Sequence, residues 1–143
     1  MDYDNLVRDF AQRTRHNLDR IRQLENQNQP VFAVTQLINS LLGLLVFPRQ
    51  EFLNRIPATP VSELEANGCP VPVVDPGFET PPHLRKLAGY LRHAVAHFHI
   101  EPIANEDGEI EGFSFWNINN HGHIDWKASM NINDIDKFVS LFW

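Results

Sequence analysis

Residues 82–98, PHLRKLAGYLRHAVAHF, decide the fold. At about 100° per residue, Leu84, Leu87, Ala88, Leu91, Ala94, Val95 and Phe98 occupy one contiguous arc, the core-facing side of an amphipathic helix. Pro82 suits a first helical turn, and Pro102 blocks extension beyond about Phe98. The opposite arc carries Arg85, Lys86, Gly89, Tyr90, Arg92, His93, Ala96 and His97. Cationic and imidazole groups thus surround two residues too small to obstruct close approach. A face of this kind predicts another helix against it, and the economical candidate is the same helix of a second protomer across a two-fold axis.

Working outward toward the N-terminus, Leu6, Phe10, Leu18, Ile21 and Leu24 recur at helical spacing between Tyr3 and Glu25, predicting a long amphipathic helix. Asn26 to Gln29 is polar and Pro30 opens a second helix, Val31 to Phe47. That helix is apolar nearly all round, so it is expected to be the most completely buried, with Pro48 ending or bending it. Thr35, Gln36, Asn39 and Ser40 interrupt it and must find partners, either lining a site or bonding within the bundle. Residues 56–82 form a Pro-rich loop with one helical turn near Ser62 to Ala66. A loop this long is either functional or a wrap around the core.

Toward the C-terminus the period changes. Asn105 to Gly108 reads as a turn, Ile110 to Ile118 as a strand, and Asn119 to Gly122 as a second turn. Ile124, Trp126, Ala128 and Met130 then alternate with Asp125, Lys127 and Ser129 as a second, antiparallel strand. Asn133 is a candidate cap for a closing helix from Asp134 to about Phe142. The fold class expected is mainly α: a helical bundle over 1–99, then a small C-terminal antiparallel β-hairpin and closing helix over 100–143, in one domain spanning 1–143.

The totals bound the function. With 143 residues and 43% hydrophobic residues the chain can close one sizeable core. The apolar run Leu41 to Phe47 is far shorter than the roughly 20 residues of a membrane-spanning helix, and no signal pattern opens the chain, so a cytoplasmic protein without membrane contact is expected. A lone Cys69 excludes an internal disulfide and any multi-cysteine zinc site. The net charge of −6 argues against a protein that coats nucleic acid by bulk electrostatics. Glu101 to Asp136 carries eight acids against Lys127 alone, whereas the bases concentrate in the first and third helices.

An Arg-x-x-x-x-His spacing is weak evidence by itself, since nine arginines, each with about a 5% chance of a histidine five positions on, yield about 0.4 such pairs. Placement adds to it: Arg92 and His97 share the non-core arc, with His93 one turn before His97. The segment Leu91-Arg92-His93-Ala94-Val95-Ala96-His97 resembles the signature of HEPN domains, in which an arginine, a polar residue, small or apolar residues and a histidine sit late in a helical bundle. Val34-Thr35-Gln36-Leu37-Ile38-Asn39-Ser40-Leu41-Leu42 is similar to the bundle of a plasmid- and phage-associated HEPN branch. The likeness spans Tyr3 to about His99, and it departs at His93, where Asn or Asp is usual.

The resemblance implies a metal-independent RNA-cleaving fold, active as a dimer whose two motifs converge on one groove, with no cofactor and no metal. On that reading His97 is the general acid/base, Arg92 stabilises the phosphorane-like state and His93 orients or supplements the chemistry. Arg85, Lys86, Tyr90, Gln36 and Asn39 are the candidate substrate-binding residues. The implied products are a 2',3'-cyclic phosphate and a 5'-hydroxyl, and the implied setting is a toxin–antitoxin or phage-defence system with an antitoxin or regulatory partner. These residue types suit the chemistry: a histidine exchanges protons near neutral pH, and an arginine presents a fixed fork of donors to phosphate. The alternative implied by the same family is an inactive nucleotide-binding or protein-interaction module.

Several features carry bland readings beside functional ones. Arg8, Arg13, Arg15, Arg20 and Arg22 of the first helix either track an RNA backbone or, interleaved with Asp9 and Asp19, form a solvated face. Phe113, Phe115, Trp116 and Trp126 either stack bases or, as in most small sheets, fill the core. His93 and His97 at four-residue spacing resemble zinc ligands, but His99 is expected to point about 160° from His97 on the helix. His121-Gly122-His123 reads as a polar hairpin tip.

Overall fold

The computed structural model describes residues 3–48 and 53–142. Among them are five α-helices, α1 (Tyr3–Asn26), α2 (Ala33–Val46), α3 (Val61–Ala66), α4 (Leu84–Ala96) and α5 (Ile132–Val139), and four strands, β1 (Val73–Val74), β2 (Ile100–Ala104), β3 (Ile110–Ile118) and β4 (Ile124–Asn131). A 3-10 turn, Ser140–Phe142, follows α5. The strands form one antiparallel sheet in the order β1-β4-β3-β2. The class is therefore mixed α/β rather than mainly α. The expected hairpin is present as β3 and β4, but each of its outer edges gains a strand. Of the added strands, β1 has only two residues and β2, Ile-Glu-Pro-Ile-Ala, does not alternate; Pro102 in β2 is tolerated because β2 is an edge.

Residues of α2 explain its central place. Of its length only Thr35 and Asn39 are exposed, and it packs against α1, α4 and α5. Gly43 permits the close approach of α1, since a Cβ there would lie 2.8 Å from the Phe10 ring, which itself stacks on Phe47 at 4.4 Å. Ser40 is buried and donates to the Gln36 carbonyl at 2.7 Å. That is the within-helix resolution of a buried polar residue.

Helices α4 and α5 cover the inner face of the sheet. Phe113, Phe115 and Asn117 of β3 stand opposite Met130, Ala128 and Trp126 of β4 on this buried face. All of these but Asn117 belong, together with Leu41 and Leu45 of α2, Leu87, Leu91 and Val95 of α4, and Ile135 and Phe138 of α5, to one continuous apolar cluster. Both hairpin turns use the same device: Asn105 Oδ1 accepts from the N–H groups of Asp107 and Glu109, and Asn119 Oδ1 accepts from those of His121 and His123. His121 and His123 are exposed at that polar tip.

The closing helix starts two residues before the expected point. Asn131, not Asn133, caps it, accepting from the Asp134 N–H at 2.8 Å, because β4 runs directly into α5. An ion pair between Arg22 and Asp136 joins α1 to α5. The other paired arginines of α1, Arg13 with Asp9 at 3.0 Å and Arg15 with Asp19 at 3.9 Å, form the solvated face. The Pro-rich segment contains α3 and β1, and its ends are fastened to the start of α4: Val61 N–H donates to the Pro82 carbonyl and Leu84 N–H to that of Thr59.

Candidate functional site

Local sequence sets both ends of α4. His83 caps the start, its Nδ1 accepting from the Lys86 N–H at 3.2 Å. At the other end the helix stops at Ala96, with His97 as the C-cap. Phe98 takes a left-handed φ of 59°, its N–H donating to Val95 O, while the His99 N–H reaches Ala94 O at 2.8 Å. This double closure is a Schellman motif, whose left-handed position is usually glycine. The α1 and α3 ends close the same way on Asn28 and Gly68.

This termination corrects two expectations that extended the helix wheel past residue 96. Phe98 is not on the core arc: it is 82% exposed. His99 does not point away from His97, because the left-handed residue turns the chain back, and the two imidazoles stack at 5.9 Å. His93 and His97 lie closer, 4.4 Å between ring centroids, as their four-residue spacing requires. His99 in turn stacks on Trp116 at 5.7 Å. A ribbon of rings therefore runs from α4 to β3. Trp116, read with the core aromatics, sits half-buried on the sheet face away from Phe115, whereas Phe113, Phe115 and Trp126 are buried as expected.

The core arc is otherwise as read: Leu84, Leu87, Ala88, Leu91, Ala94 and Val95 are all buried. On the outward arc Gly89, His93, Ala96 and His97 are exposed and Arg92 is half-buried. A Cβ at Gly89 would meet nothing within 4 Å. Five residues of α-helix separate Arg92 from His97 by about 140° around the axis, so within one protomer they mark opposite edges of that arc.

Beside His93 lies an open cleft of about 350 Å³ between α4 and the β3–β4 end, lined by Tyr90, His93, Asn117, Ile118, Asp125 and Trp126. The Tyr90 and Trp126 rings meet edge to face at 5.2 Å. Partial burial, reinforced by the neighbouring His97 and His99, pushes the His93 pKa below its ordinary value, and the Asp125 carboxylate opposes this. His93 is thereby favoured as a neutral proton acceptor.

The candidate binding residues divide. Tyr90 lines the cleft, and Lys86 Nζ stands 6.0 Å from the Tyr90 ring centroid. Arg85 donates through Nε to the Ile56 carbonyl at 2.6 Å, a loop tether. Gln36 is half-buried and Asn39 exposed on α2, and neither lines the cleft. Asn117 and Asp125 escaped the sequence reading. Their only signal was asparagine and aspartate inside strands, where both are depleted. Among the described residues no three of His, Cys, Asp or Glu are grouped to hold a metal ion, and no helix is long and apolar enough to cross a membrane.

The model of the HEPN pEK499 p136 family matches residues 1–143, and the chain belongs to that family. No curated protein and no solved structure is significantly similar to it.

Proposed function

We infer that the protein is a metal-independent endoribonuclease of HEPN type that acts as a cytoplasmic homodimer. The observation that carries this reading is the His93–His97 pair, 4.4 Å apart on the outward arc that also bears Arg92. A neutral His93 accepts the ribose 2'-hydroxyl proton or orients the imidazole beside it, while His97 returns a proton to the leaving 5'-oxygen. Arg92 offers its guanidinium to the phosphate as charge accumulates on the equatorial oxygens. Attack of the 2'-oxygen on phosphorus with loss of the 5'-oxygen leaves a 2',3'-cyclic phosphate and a 5'-hydroxyl.

The faces of the helix support a two-fold arrangement. Arg92 and His97 diverge within one protomer, so pairing α4 with its copy through Gly89 and Ala96 brings one chain's arginine toward the other's histidine. The setting implied is a toxin–antitoxin or phage-defence system, with an antitoxin or regulatory partner controlling the groove.

A second reading, an inactive nucleotide-binding or partner-binding module, is favoured by the net charge of −6 and by Asp125 beside the histidines, both unfavourable to a long polyanion. Cleavage of end-labelled single-stranded RNA in EDTA separates the two. Cyclic-phosphate ends from the wild type, and none from His97→Ala, support the nuclease. Equal traces from both proteins overturn it in favour of the binding module.

A further inference from the structure

Two of the residues that line the cleft beside His93 each carry a buried polar atom that the fold leaves unsatisfied. Asn117 is 8% exposed and Trp126 2% exposed. Asn117 spends its Nδ2 on the Tyr90 carbonyl at 3.2 Å, yet its Oδ1 and the Trp126 Nε1 have no hydrogen-bond partner. Each such buried group costs about 1–3 kcal/mol when left unpaired, and natural folds rarely keep two side by side without a use. Here they are side by side, because Asn117 and Trp126 face each other across the β3–β4 ladder. The strand register slips immediately after Asn117, where the cleft opens.

The three groups at this end of the sheet form a chemical pattern: Trp126 Nε1 can only donate, Asn117 Oδ1 can only accept, and the Asp125 carboxylate at the rim can only accept. The Tyr90 ring supplies an apolar wall. The complement is a flat ligand edge with one acceptor and two donors. Among the bases of RNA, uracil and cytosine each present two acceptors and one donor, and adenine presents one of each. Guanine alone presents one acceptor, O6, and two donors, N1–H and the N2 amine.

Resting on the reading that this site handles RNA, we propose that the cleft is a guanine-binding pocket, through which the C-terminal sheet selects the nucleotide placed beside the His93–His97 pair. The bundle supplies the reactive groups and the sheet supplies the base preference. A cleft of about 350 Å³ falls within the range of small-ligand sites, and stacking together with edge hydrogen bonds is how extruded bases are read.

The test follows the Trp126 indole N–H by NMR while GMP, AMP, CMP or UMP is added to the full-length protein. GMP is expected to shift this resonance at concentrations roughly tenfold lower than the others, about one lost charge-assisted hydrogen bond. Asp125→Asn, at an exposed position, is expected to abolish the preference, and Asn117→Ala to weaken GMP binding if it folds. Equal shifts by all four nucleotides, or none by any, overturn the pocket. GMP-selective binding without RNA cleavage sustains the pocket and removes the nuclease reading. Cleavage indifferent to base, with no GMP shift, does the reverse.

Discussion

Phe98→Gly is the perturbation whose outcome the structure constrains most tightly. Phe98 holds a left-handed backbone, φ 59°, at the position that closes α4, and its ring is 82% exposed. A left-handed conformation costs an L-residue about 1–2 kcal/mol relative to glycine, whereas glycine restores about 0.5–1 kcal/mol of unfolded-state entropy. Little burial is lost with a ring so exposed. The net expectation is a gain of about 0.5–1 kcal/mol, or a few degrees in Tm for a chain of this size. The assay is urea and thermal denaturation followed by circular dichroism at dilute concentration. If the strained, exposed Phe98 ring serves contact with RNA or a second protomer, RNA cleavage or dimer affinity falls while stability rises. A loss of stability beyond about 0.5 kcal/mol would refute the reasoning, since it would require a Phe98 ring buried within the monomer.

The remaining expectations are narrower. The folded-state pKa of His93 lies below its ordinary 6.5, so on acidification the unfolded chain binds a proton first. The stability associated with His93 is therefore present above about pH 6.5 and lost as pH falls through its folded pKa, and His93→Gln should flatten that part of a stability-against-pH curve. Gly43→Ala drives a methyl into the Phe10 ring at 2.8 Å and should destabilise by about 1–3 kcal/mol, read as a lower urea midpoint with unchanged slope. Gly89→Ala meets open space. It should stabilise the monomer by about 0.5–1 kcal/mol through helix propensity and weaken any dimer that packs on this face, measured by sedimentation against concentration. A dimer as tight as the wild type's would rule out close helix pairing at Gly89.

Much of the fold was legible because local spacing and turn chemistry agree with the packing. The three long helices, the β3–β4 hairpin and the apolar arc Leu84 to Val95 all follow from apolar period, whereas on α1 the buried line is Val7, Ala11, Thr14 and Leu18 and the expected Leu6 is exposed. The position of Arg92, His93 and His97 on the outward arc follows from it too. That the chain is a HEPN-type domain was readable from Leu91 to His97 and from the helix before it. The sheet's full extent was not. Val73–Val74 is only two residues and Ile100–Ala104 carries Pro102 without alternation, so each is a strand by virtue of pairing with an edge of the hairpin.

What tertiary structure alone decided lies where the periodic rule stops. The left-handed Phe98 brings His99 back against His97, an outcome a helix wheel inverts because the wheel presumes the helix continues. Asn117 and Trp126 are adjacent only through strand register, and their unsatisfied atoms appear only once every nearby partner has been assigned. Sequence by itself determined which residues form elements and which faces are apolar, because those depend on neighbours a few positions away. The cleft depends on contacts across about 27 residues, as between Tyr90 and Asn117, and at that separation the geometry belongs to the packed molecule.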